Sequence, residues 1–333
     1  MTFPNLRSYK KNIFLVYIFF VILFFISLLI GRYPQPGFLP INSILNDVLA
    51  RRLLFNLRLP RVISALLLGV SLSIAGLVMQ TAFRNPLVEP GFLGVSQGAA
   101  FGAALGIVIG GGTRLLVQSA AIIFALIGLI LSYWISLKVR FGGHILRLVL
   151  AGIAVSAFFS AGVGILKYLA DPIKQLPEIV FWLLGGLWAV KWQDLVYLLP
   201  VIVLGIMIIF LLRWRLNVLT LSYEVAYSLG VNKNHETLIS VILAVIITAS
   251  MVSIAGIVSW IGLVVPNIAR IISGADTAKS VPLCIAIGGI FSLVCDDLAR
   301  TLLAGEIPLS IFSALFGALI FIILISIKKG GLA

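Results

Sequence analysis

Charge is what this sequence has least of. Of its 333 residues only 11% are Asp, Glu, Lys or Arg, whereas 61% are hydrophobic and the mean hydropathy is +1.19. Soluble domains carry about 25% charged residues, so a soluble fold is excluded. Cysteine and histidine are nearly absent, two of each. Cys284 and Cys295 lie in one apolar run, ~16 Å apart if helical, too far for a disulfide; they read as small packing residues. His144 and His235 have no candidate ligands near them in sequence, so no metal site is expected. A phosphate loop is missing too. It needs Gly-x-x-x-x-Gly-Lys-Ser/Thr, and the nearest string, "GADTAKS" at Gly274–Ser280, has Ala278 where the second Gly must stand. The chain is therefore not expected to hydrolyse ATP. No Ser–His–Asp arrangement suggests another enzyme activity, and no cofactor is expected. No polar segment is long enough for a separate soluble domain, so residues 1–333 are read as one transmembrane domain.

What is present is a series of apolar runs, each near the ~20 residues that cross ~30 Å of hydrocarbon. Ten spans are expected, at 13–31, 59–82, 92–110, 115–137, 146–169, 194–212, 237–257, 258–272, 280–303 and 307–327, the eighth short for a spanning helix. The fold class is all-α, a polytopic membrane protein. The run from Ile13 to Ile30 follows Arg7, Lys10 and Lys11. It is too long for a signal-peptide core and lacks a small-x-small cleavage site, so it reads as a first span. An even number of spans with basic residues at both ends puts both termini in the cytoplasm. The net charge of +13 fits cationic loops against anionic membrane lipid; no basic stripe interleaved with aromatics points to nucleic acid. On this topology 14 of the 24 Lys and Arg are cytoplasmic and 10 are outside. Half of the outside charge, Arg32, Arg51, Arg52, Arg58 and Arg61, lies between the first two spans. A local function there, or a re-entrant segment that changes sides, would explain it.

"SIAG" occurs at Ser73–Gly76 and at Ser253–Gly256, in the second and seventh spans. An odd number of spans separates the copies, so they cross in opposite directions, the pattern of an inverted repeat or of chance. The small residues of Gly98–Gly112 suit close helix packing in lipid. The longest internal polar interruption, 213–237, lies between the sixth and seventh spans. Ser222 can cap a helix with Glu224 in its first turn and Gly230 at its end. Leu219, Tyr223, Ala226 and Leu229 recur at helical spacing. The result is an amphipathic segment that either lies on lipid or docks a cytoplasmic protein. "FRNPLVEPGFLG", Phe83–Gly94, reads as a cytoplasmic turn made by Asn85–Pro86 and Pro90–Gly91.

The string "RLPRVISALLLGVSLSIAGLVMQTAFRNPLVEPGFLGVSQGA" resembles the FecCD-type permease family of ABC importers. The resemblance continues in "FWLLGGL" (Phe181–Leu187), "LNVLTLSYEVAYSLGV" (Leu216–Val231), "GIVSWIGLVVPNIAR" (Gly256–Arg270) and "DDLARTLLAGEIPLSIFSALFGALIF" (Asp296–Phe321). It covers nearly the whole chain in order.

The resemblance implies a multi-pass subunit of the prokaryotic plasma membrane, working as a homodimer. Spans two to five and seven to ten would form an inverted repeat. Two ATPase subunits would dock on the cytoplasmic side and a substrate-binding protein outside. The coupling segment would include Leu219, Ser222, Tyr223, Glu224, Ala226, Leu229 and Gly230. The family usually begins that helix with Gly and an acidic residue; here Ser222–Tyr223 precede Glu224. Asn267 stands where the family has His, which excludes a His-dependent role there. Arg58, Arg61 and Arg300 match positions that meet acidic residues of the binding protein. The cytoplasmic gate would lie at Asn85 and at Phe141–Leu146, including Gly143, His144, Ile145 and Leu146, with the path lined by spans five and ten. The implied cargo is a metal chelate, ferric siderophore first, with cobalamin, haem or molybdate as alternatives. An ion-gradient-driven transporter would instead need a membrane-embedded acidic relay. Asp296 and Asp297 are the only acidic pair near a span interior, and Arg300 is spaced to pair with both.

Overall fold

The computed structural model describes residues 6–33, 37–141, 143–274, 276–303 and 305–329. The chain is helical almost throughout: α1 (Leu6–Leu29), α2 (Ile41–Asn46), α3 (Val48–Leu53), α4 (Leu59–Ala82), α5 (Val95–Val108), α6 (Arg114–Lys138), α7 (His144–Leu169), α8 (Gln175–Leu184), α9 (Trp192–Leu211), α10 (Arg213–Leu219), α11 (Tyr223–Ser228), α12 (Lys233–Ala255), α13 (Ile261–Ser273), α14 (Thr277–Thr301) and α15 (Leu309–Lys329). A widened turn over Leu54–Arg58 joins α3 to α4 without a break. The only strands among the described residues are Ile30–Gly31 and Gly37–Phe38, paired antiparallel. Seven described helical stretches are long and apolar enough to cross a membrane; four shorter apolar helices fall at Ile13–Leu29, Val95–Val108, Gln175–Leu184 and Ile261–Ser273.

The packing obeys the inverted repeat. In the first half, α5, α6 and α7 contact one another; in the second half, α13, α14 and α15 do the same. The halves interlock reciprocally. Helix α4 packs along α13 and α14, and its counterpart α12 packs along α5 and α6. Helices α4 and α12 also pack on each other. Each lead helix thus fills the groove of the opposite half, which is why α4 is buried along most of its length. The face carrying residues 212–232 is called basal below.

The third span is shorter than expected, and the eighth is as short as its sequence indicated. Helices α5 and α13 hold 14 and 13 residues, about 21 and 20 Å at 1.5 Å per residue, too short to cross. Both begin inside the membrane thickness. Residues 92–94 rest on Gly152, two turns into α7, and on Gly128 at the middle of α6; a Cβ at either glycine would collide with the carbonyl of Phe92 or Gly94. Ser132 Oγ fixes this level by donating to the Leu93 carbonyl at 2.9 Å. Gly94 makes the turn with φ +75. The segment Phe83–Gly94 is therefore re-entrant rather than a simple surface turn. Similarly, Gly262 of α13 lies against Gly76 and Leu72 of α4. Gln80 Nε2 donates to the Gly262 carbonyl at 3.1 Å. Irregular backbone at this depth is tolerated because it is buried in protein.

Close backbone approach defines the α4–α14 contact. A Cβ at Gly69 would collide with the Gly288 carbonyl, a small-on-small crossing of the kind membrane helices favour. Gly69→Ala is expected to destabilise by about 1–3 kcal/mol, read as a lower thermal midpoint in detergent. Gly164→Ala, where nothing lies within 4 Å, is expected to leave the midpoint unchanged.

Candidate functional site

Three linked regions carry the polar groups that a transport cycle could use. At the basal face, the 213–237 interruption forms α10, α11 and the start of α12, and α11 follows its Ser222 cap as expected. Leu219 belongs to α10 and is buried, and Ala226 on α11 is fully buried within the chain. These two are thereby removed from the expected docking face: they anchor the elbow. The presented side chains are Tyr223, Val225, Tyr227 (73% exposed) and Leu229 (62%). Ser222 Oγ accepts from Val225 N–H at 3.4 Å, and Glu224 sits in the first turn. Gly230 ends the helix with φ +73, where Val231 N–H donates to the Ala226 carbonyl at 3.0 Å. The elbow is tied down from several sides. Asn217 donates to Asp276 at 2.9 Å and accepts from Thr277 N–H at 2.8 Å. Burial opposes ionisation of Asp276, but hydrogen bonds from Asn217, Ala278 and Lys279 outweigh it and lower its pKa. Arg84, strained at φ 49, donates to the carbonyls of Leu219 and Leu221, and Lys233 donates to the latter as well.

Inside the membrane thickness, the two half-helices meet at one carboxylate. Glu89 closes the re-entrant segment and accepts the Trp260 N–H at 3.2 Å. Trp260 precedes α13 with φ 75, a conformation uncommon outside glycine, and packs against Gly317 of α15. Asn85–Pro86 and Pro90–Gly91 gave a turn in sequence but no sign of the depth of Glu89 or of its partner. Asn267 donates to the Pro86 carbonyl at 3.0 Å, and Arg270 reaches Gln80.

On the opposite face, the three arginines differ. Arg300 is 7% exposed and pairs with Asp297 and, at 3.7 Å, with Asp296; it also donates to the Ser27 carbonyl. Arg61, 11% exposed, bridges Asp296 at 2.9 Å and Glu306 at 2.7 Å. Arg58 donates to the carbonyls of Leu29 and Tyr33, at 3.3 and 3.0 Å, and has no carboxylate partner among the described residues. Arg300 and Arg61 are held inward by their own acidic partners, whereas Arg58 is not. The Asp296–Arg300 spacing was legible in sequence; Glu306 and Ser27, far along the chain, were not. A fourth cluster, also unforeseen, ties α6 to α9. Asp194, buried, accepts from Arg114 and Gln118, both at 2.7 Å, and from Lys191 N–H at 2.9 Å.

Of the gate residues, Asn85 caps its own turn, accepting Leu87 N–H at 3.0 Å. With Asn267, Ile271 and Phe321 it borders a cavity of about 260 Å³. Gly143 precedes α7 and is exposed, and Leu146 is half exposed. Leu146 does not line that cavity. The side chains of His144 and Ile145, and residue 142, lie outside the described residues. No cluster of His, Cys, Asp or Glu able to hold a metal occurs among the described residues.

Residues 19–327 match the FecCD transport family. The molybdate import system permease of Haemophilus influenzae is 36% identical, over 98% of each chain. A probable iron chelatin transport system permease of Helicobacter pylori is 39% identical, over 84% of this chain and 83% of that one. A solved structure described as an inward-facing metal-chelate type ABC transporter superposes with TM-score 0.87 at 36% identity, over 95% of this chain and 99% of the other. This chain belongs to the FecCD transport family, the membrane-spanning permeases of metal-chelate ABC importers.

Proposed function

We propose that this permease carries a ferric siderophore through the axis of a homodimer, with the basal face and both termini in the cytoplasm. The observation that carries the reading is the outward face of α7. From Ile153 to Ile165 it shows Ala154, Ala157, Phe158, Ala161 and Gly164 and no charged side chain. Such a wall suits a bulky chelate passed through without tight binding; a dedicated high-affinity site would need buried charge. The iron chelatin relative supports this cargo. The full-length match to a molybdate permease favours a second reading, a tetrahedral oxyanion. Titration of the cognate binding protein separates them: tight binding of a ferric chelate supports the first, and binding of molybdate alone replaces it with the second.

Two ATPase subunits would seat on the basal face over Tyr223, Val225, Tyr227 and Leu229, with Leu219, Ser222, Glu224, Ala226 and Gly230 setting the shape of the elbow. Asn85 and the start of α7 from Gly143 to Leu146 would close the path on that side. The binding protein would dock on the opposite face. Arg58 would meet its acidic residues directly, and Arg61 after exchanging Glu306 for an incoming carboxylate, with Arg300 holding the platform. Arg58→Glu is expected to weaken binding-protein association by about tenfold at low salt and less at high salt, in keeping with the modest strength of exposed pairs. Surface plasmon resonance on nanodisc-embedded protein checks this. Equal affinity at both salt concentrations would leave Arg58 as a span-end anchor.

A further inference from the structure

A cavity of about 800 Å³ opens at the basal face between α6 and α12, beside the elbow. That volume falls in the range of ligand pockets, about 300–1,000 Å³. Its walls include Ile130 and Leu137 of α6 and Leu238 and Ile242 of α12, all of them partly exposed. Arg84 and Lys233 also line it. Both cations spend some donors on the Leu219 and Leu221 carbonyls. An ammonium has three donors and a guanidinium five, so donors remain. Neither has a carboxylate within 4.0 Å among the described residues. Two adjacent cations without an acidic partner, above an apolar slot, are complementary to one chemistry: an anionic head carrying an acyl chain.

We propose that this cavity binds an anionic phospholipid, its phosphate on Lys233 and Arg84 and an acyl chain between α6 and α12. An acidic side chain of a docked soluble subunit is the competing occupant. The slot runs along α12 from Lys233 to Ile242, nine residues or ~13 Å down the helix and into its apolar run. That depth fits a lipid tail and not the surface of a soluble protein. Tyr223 of the elbow lines the same cavity, so the lipid lies directly against the segment that presents Tyr227 and Leu229. The site depends on neither the cargo nor the direction of transport.

Native mass spectrometry of the purified full-length chain tests this, with phosphatidylglycerol and phosphatidylethanolamine of identical acyl chains in equal amounts. A surface cation contributes about fivefold preference for an anionic lipid. Wild type is therefore expected to retain phosphatidylglycerol at least about fivefold better than phosphatidylethanolamine. Lys233→Gln keeps a donor for the Leu221 carbonyl and removes the charge; it should lower the preference by about fivefold, and Lys233→Arg should keep it. Ile242→Trp fills the slot and should reduce retention of both lipids, with the thermal midpoint confirming that the chain is folded. Equal retention of the two lipids by wild type, an unchanged preference in Lys233→Gln, or unchanged retention in Ile242→Trp overturns the proposal. Complete displacement of the phosphatidylglycerol by added ATPase subunit also overturns it and assigns the cavity to the protein interface.

Discussion

Replacing Tyr227 and Leu229 together by Asp should abolish co-purification of the ATPase while leaving the permease folded. Both side chains stand out from an elbow whose inward residues, Leu219 and Ala226, are already buried in this chain. A large apolar side chain contributes about 1.5–3 kcal/mol when it passes from water to a buried site. Losing two, and placing carboxylates in their stead, should lower affinity by at least about a hundredfold. A thermal midpoint within a degree or two of wild type, measured in the same preparation, shows that the fold is intact. An unchanged ATPase yield would remove the coupling role from this segment. Ala226→Asp is a different experiment. It puts a charge into the packing under α11 and should damage the elbow itself.

Asp296→Ala should be the most destabilising single change on the opposite face. Asp296 is 1% exposed and touches both Arg61 and Arg300. Its removal leaves two largely buried guanidiniums with one carboxylate each, Glu306 and Asp297. Breaking a buried ion pair costs about 3–5 kcal/mol, a drop in thermal midpoint of about 4–7 °C for a chain this size. Glu306→Ala, at a site that is 42% exposed, should cost far less. The double replacement Arg61→Met with Asp296→Leu should recover much of the loss, because the penalty lies in the orphaned charge rather than in the missing bond. A double variant as unstable as Asp296→Ala would contradict this reading of the network.

These residues also show where sequence reasoning stopped. The long helices were legible because each is a continuous apolar run, and α4 begins and ends at the expected residues, 59 and 82. The repeat left its trace in the two "SIAG" strings. Of the half-helices only the shortness of the eighth span was legible. Composition reports that a stretch is apolar, not how deep its ends lie, and the level of Gly94 is set by Gly128, Gly152 and Ser132 from other helices. Periodicity likewise grouped Leu219 with Tyr223, Ala226 and Leu229, although Leu219 lies in α10 across a turn held by Arg84 and Lys233, one of them more than a hundred residues away in sequence. The arginines were found by their positions and the Asp296–Arg300 pair by its spacing, but Ser27, Glu306 and the Arg61–Asp296 pair converge only in three dimensions. Helix α8 was missed because its ten residues are too few to register as a span.

This chain is expected to move a metal chelate only when an ATPase seated on its basal face is driven by ATP. Uptake into proteoliposomes holding the permease and its ATPase, with binding protein outside and ATP inside, measures this directly. ATP-dependent accumulation of the ferric chelate is expected, lost with Tyr227→Asp and Leu229→Asp and indifferent to collapse of the proton gradient. Uptake that persists without the ATPase and follows the proton gradient would contradict it.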